Sequence, residues 1–148
     1  MMSLNAQQKK TELMAGHFVG STPCDAFIRS SLHIPPQDSC EFIKWDLRLR
    51  PGAAKNEFEL AILYGVGKPN TNGFEGGGKQ VKFSGKLGWP TDSKYHPPRN
   101  LVSLNALHPV VKIFLIEMSS DVLHFCDEEG RLLVGNGGWG YVLNRSID

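Results

Sequence analysis

Three cysteines and five histidines are the residues of this 148-residue chain best suited to chemistry. Cys24, His33 and Cys40 share one stretch, and His124 and Cys126 stand two residues apart on what reads as one strand face. Thiolate and imidazole ligands of that kind suit Cu(I) or Zn²⁺. The spacing speaks against a dedicated centre, because no CxxC, HxH or HExxH occurs and assembly would rest on long-range folding. Cys24 with His17 or His33 comes nearest to a thiol–imidazole nucleophile, yet nothing nearby lowers the thiol pKa or supplies oxyanion donors. No serine sits in a GxSxG elbow. Glu57 and Glu59 read as a wet strand face, and Asp127, Glu128 and Glu129 as a turn. No catalytic residue is assigned, enzyme activity is the less favoured reading, and no cofactor is expected.

Two glycine clusters imitate nucleotide motifs. Gly73 to Lys79 has the spacing GxxxxGK, but Gln80 stands where a Mg²⁺-binding hydroxyl is needed, and Val81-Lys82-Phe83 alternates like a strand rather than opening a helix. Gly135 to Gly140, GNGGWG, has no strand–helix pair around it. Its glycines permit a tight turn that lets Trp139 pack over bare backbone and plug one end of a barrel. Lys82 and Lys86 share a strand face, as do Arg48 and Arg50, but Trp45 and Phe83 alternate to the opposite side. That excludes a stacking platform for single-stranded nucleic acid.

The charge balance agrees, with 16 Lys and Arg against 15 Asp and Glu, a net +1 that attracts neither nucleic acid nor an anionic membrane. No apolar run approaches a transmembrane span, and MMSLNAQQKKTEL has no apolar leader core. The expectation is a chain that is cytoplasmic as it stands, or an envelope domain if a signal segment was removed. Cys24 and Cys40 pair in an oxidising compartment, leaving Cys126 free, or all three stay as buried thiols in a reducing one; the reduced reading is preferred.

The elements that would position these residues are strands. Ile43, Trp45, Leu47 and Leu49 alternate with Lys44, Asp46, Arg48 and Arg50, and Phe58, Leu60, Ile62 and Tyr64 alternate in the next segment. Further strands are expected at 13–20, 81–87, 101–105, 110–118, 121–126, 132–134 and 139–144, with one or two helical turns between Asp25 and His33. No helical crossover is long enough for a parallel sheet. The expected fold is all-β, an antiparallel meander closing into a small barrel of about eight strands, with residues 1–12 a polar tail and 13–148 one domain. A sandwich is the alternative. Leu47, Leu49, Phe58, Leu60, Ile62, Val81, Phe83, Ile113, Leu123, Trp139 and Tyr141 are expected in the core.

A family resemblance rests on Phe18-Val19-Gly20 followed by Ser21-Thr22-Pro23-Cys24, on Leu47-Arg48-Leu49, Phe58-Glu59-Leu60 and Tyr64, and late in the chain on Val122-Leu123-His124-Phe125, Gly130 and Tyr141 to Arg145. Over residues 17–145 the chain resembles the N-terminal β-barrel domain of the NlpE-like copper-resistance envelope lipoproteins, a lipocalin-like fold. The resemblance implies a barrel and, in the family, copper handling. Cys24 is followed by Asp25, Ala26 and Phe27, so the family's CxxC is absent, and so is its lipidation signal.

The reading that follows is a non-enzymatic barrel module binding a small apolar or amphipathic ligand. Trp45, Phe58, Tyr64, Phe83, Trp139 and Tyr141 are its pocket candidates, and loops 65–79 and 88–99 its rim. One alternative is a filled barrel acting as a structural or protein-interaction domain. The other is soft-metal binding through Cys24, His33, Cys40, His124 or Cys126. The sequence names no protein partner.

Overall fold

A computed structural model describes residues 15–52, 55–90 and 101–147. It is a closed barrel of eight antiparallel strands in sequence order: β1 (Gly16–Pro23), β2 (Phe42–Arg50), β3 (Glu57–Gly65), β4 (Lys79–Gly88), β5 (Leu101–Leu107), β6 (Val110–Ser119), β7 (Val122–Cys126) and β8 (Val142–Arg145). A helix, α1 (Ala26–Leu32), lies between β1 and β2. The expected antiparallel barrel is what forms. The polar tail expected at 1–12 lies outside the described residues.

The alternation of β2 and β3 dictates their placement. Ile43, Trp45, Leu47 and Leu49 point inward and are buried, as are Phe58, Leu60, Ile62 and Tyr64 opposite them. Asp46, Arg48 and Glu59 face out, and Arg50 Nη1 meets Glu59 Oε2 at 3.1 Å across the pair. An apolar interior with a charged exterior is the inverse of a membrane barrel, whose lipid-facing band is apolar. Among the described residues no helix is long and apolar enough to cross a membrane.

The ladders are uneven. β2 and β3 pair along their full lengths, Phe42 to Arg50 against Gly65 to Glu57. β4 meets β5 only through Lys86–Gly88 against Ser103–Asn105, and β1 meets β8 only through Phe18 and Val19 against Arg145 and Asn144. At the β4–β5 seam the backbones come very close: a Cβ on Gly85 would lie 2.0 Å from the Asn105 carbonyl oxygen, so only glycine fits there.

One end of the barrel is closed by the excursion between β1 and β2. Asp25 caps α1, its Oδ1 accepting the Ile28 N–H at 3.1 Å. His33 ends the helix in the left-handed region, φ 58°, and Pro35-Pro36 prevents its continuation. Ile28, Leu32 and Ile34 drop into the same cluster as the barrel core. A disulfide between Cys24 and Cys40 staples the two ends of the excursion. This replaces the reduced state preferred from the sequence: the strand pair Pro23↔Phe42 brings the flanking cysteines to a Cα separation of 5.8 Å, the distance a disulfide needs.

Two other expectations are corrected. Residues 132–134 form no strand. Cys126 bridges Leu132 and the Leu133 amide reaches the Phe125 carbonyl, but β7 is already laddered by β6 and β8, which leaves no edge for a longer pairing. Loops 65–79 and 88–99, expected to rim one opening, are anchored at opposite ends of β4, and residues 91–100 lie outside the described residues.

Candidate functional site

The aromatic residues expected to line a pocket mostly fill the barrel. Trp45, Phe58, Tyr64, Phe83 and Tyr141 are all buried in the main core cluster. The Trp45 ring lies 4.6 Å from that of Phe125, which meets Tyr141 edge-on at 6.0 Å. The Trp45 indole N–H donates to Thr22 Oγ1 at 2.8 Å, so the buried donor is satisfied. The Tyr64 hydroxyl donates to Asp38 Oδ2 at 2.6 Å. Burial, with that bond, pushes the Tyr64 phenol up to about 12. Tyr141 donates to the Asp25 carboxylate, and burial again raises its pKa. Asp38 also meets Lys79 Nζ at 3.1 Å, and its pKa is lowered by the Tyr64 and Lys79 bonds.

Trp139 is not a core plug. The alternation that puts Leu143 and Tyr141 inside does not reach Trp139, which precedes β8 with Gly140 between it and Tyr141. Asn136 Oδ1 accepts the Gly138 and Trp139 amides at 2.8 and 2.9 Å, and the Asn136 amide donates to the Trp139 carbonyl at 2.9 Å. Gly135 is required, since a Cβ there would lie 2.2 Å from that carbonyl oxygen. The turn holds Trp139, half-buried, on the outside of the barrel, stacked on Phe42 at 4.7 Å and 11°. Phe42 stacks in turn on Phe74 at 4.4 Å, making an external aromatic stack. The glycines of loop 65–78 serve it, for a Cβ on Gly78 would press against the Phe74 ring at 3.0 Å.

The metal candidates are not gathered. Cys24 and Cys40 are spent in the disulfide, and Cys126 is buried with its thiol pushed up to about 12 by burial and by the nearby Asp127. His33 Nε2 bonds the Val110 carbonyl, and His124 Nδ1 lies 2.8 Å from the Phe125 carbonyl. Among the described residues no group of three or more His, Cys, Asp or Glu side chains is placed to hold a metal ion.

Two concavities lie at the α1 end. The first is an apolar pocket of about 350 Å³ between α1, β6 and the turn after β7. Phe27, Ile28, Ile113, Phe125, Cys126 and Leu133 line it, together with the charged Lys112, Asp127, Glu128 and Glu129. Phe27 is 49% exposed, so its ring offers apolar surface to the pocket. The turn is held by Asp127 Oδ1, which accepts the Glu129 and Arg131 amides at 2.9 Å each. Sequence reasoning missed this pocket because its wall combines an excursion helix with two strand ends distant in sequence. The only sequence-level signal was Phe27 beside the buried face of the helix.

The second is a groove of about 510 Å³ between Trp139 and the loop Gly67–Gly73, floored by Phe42 and Lys44. Comparison with family models, curated proteins and solved structures gives no match for this chain.

Proposed function

We propose that the protein is a non-enzymatic binding module that takes a small apolar or amphipathic ligand in the pocket beside α1. The observation that carries this reading is the half-exposed Phe27 beside an apolar wall in a concavity within the size range of small-molecule sites, ~300–1,000 Å³. An alkyl chain would lie against Phe27 and Leu133, and a polar head would meet Lys112 or the three acidic side chains that line the pocket. The ligand sits at the barrel mouth rather than inside, because the interior is occupied by side chains. The NlpE-like resemblance supports a barrel module of this kind. It lends less to copper, since two of the thiols such a site would draw on are joined to each other.

Titration calorimetry with decanoate and with decylamine tests the reading. One of the two is expected to bind saturably, and Ser31→Trp, which fills the pocket from α1, is expected to abolish binding without lowering the melting temperature. Absence of binding by both probes, or binding that survives Ser31→Trp, removes the reading. Native mass spectrometry after gentle purification reports a retained ligand independently. The filled interior also favours a second reading, a protein-interaction domain, for which the exposed Leu107 and Val110 at the β5–β6 tip are the contact candidates.

A further inference from the structure

The groove beside Trp139 has the parts of a saccharide site. Its aromatic element is rigid: one face of the indole is stacked on Phe42, Phe42 is backed by Phe74, and the Asn136 turn clamps the backbone on either side. The facing wall is a tight hairpin, bridged Gly67 to Phe74, with Lys68 and Gly73 paired by backbone and Thr71 Oγ1 bonding at both ends of the turn. Lys44 reaches across the floor to the Asn72 carbonyl and fixes the hairpin to β2. Both walls are thus held before any ligand arrives, which cuts the ordering cost of binding.

The chemistry between the walls is mixed. Ser21, Asn70 and Asn72 line the groove, and among the described residues their side chains make no hydrogen bond within the protein. Amide and hydroxyl groups both donate and accept. An aromatic face carries negative potential and attracts weakly positive C–H groups. A ring with a C–H face and a hydroxylated edge matches that pairing, whereas an alkyl chain would make no use of the amides. We propose that this groove binds a carbohydrate, with a pyranose ring lying on Trp139 and its hydroxyls bonding Asn70, Asn72 and Ser21. Pyranoses with all-equatorial hydroxyls present the least interrupted C–H face, so β-linked gluco-configured oligosaccharides are the class it fits. This site is separate from the pocket beside α1 and stands or falls independently of it.

The test follows the indole N–H resonance of Trp139 in ¹⁵N–¹H spectra, assigned by its disappearance in Trp139→Phe, during titration with cellotetraose and chitotetraose. A saturable shift of the Trp139 resonance with at least one of them is expected, with the Trp45 resonance unmoved. Calorimetry on Trp139→Ala should show affinity reduced about tenfold or more, and Trp139→Phe should retain most of it. Asn70→Gly, which suits the left-handed backbone at φ 64°, combined with Asn72→Ala, both on an exposed turn, should weaken binding about tenfold while the melting temperature holds. No shift with either sugar at saturating concentration overturns the proposal, as does binding that survives both Trp139→Ala and the double asparagine variant.

Discussion

Inside the barrel, Trp45 and Thr22 depend on each other. Thr22 is fully buried, and its hydroxyl takes the indole N–H while donating to the Pro23 carbonyl at 3.1 Å. Thr22→Val keeps the shape and strands the indole donor, which should cost about 1–3 kcal/mol in urea unfolding. Cys126 is an inert thiol for the opposite reason: burial disfavours the thiolate. Under non-reducing conditions a thiol reagent such as DTNB should find no reactive group in the native protein, one after denaturation, and three after reduction. The same burial sets a pH dependence. Cys126 and Tyr64 both have folded pKa values of about 12, above their unfolded values, so the fold favours their protonated forms. That contribution is complete below about pH 8.5 for the thiol and about pH 10 for the phenol, and is lost as pH rises through the folded values. The denaturation midpoint should fall on the alkaline side, and less steeply in Cys126→Ala.

The excursion between β1 and β2 is the element on which the α1 end depends. Ile28 is almost wholly buried in the core, and Ile28→Ala should cost about 2–5 kcal/mol through the cavity it leaves. Replacing Cys24 and Cys40 with serine frees a 16-residue loop in the unfolded chain and should cost about 3 kcal/mol on the chain-entropy account. Differential scanning calorimetry reads both. How far such elements were legible differs with their surroundings. β2 and β3 declare themselves because each has one wet and one dry face, so period two survives in the residue types. Trp139 misled, because glycines on both sides carry no facial information and a large aromatic beside a strand reads as core. Phe42 hides the same way: it occupies an outward position of β2, and only the stack with Phe74 and Trp139 explains why an outward residue is apolar. The two concavities were illegible in the sequence because their walls come from segments far apart along the chain, joined only once the ladders have formed.

Across the whole molecule, pairing is densest in β1 to β4 and again in β5 and β6, with narrow seams at β4–β5 and β1–β8. Amides of β2 and β3 should therefore exchange slowest with deuterium, and those of β8 earliest. The β1–β8 seam has another implication. The Arg145 guanidinium donates to the Ala15 carbonyl at 2.6 Å and the Ser146 amide to the His17 carbonyl at 2.8 Å, so residues 15–17 run beside 145 and 146. Every other strand pair in the ring joins consecutive strands, and no strand is first in any geometric sense. A circular permutant that links residues 15 and 146 with a short flexible peptide and opens the chain between Ser120 and Asp121 would keep every pairing. The pair it makes distant, β6–β7, is richer than the one it makes local, so the permuted barrel should reach the same native state more slowly.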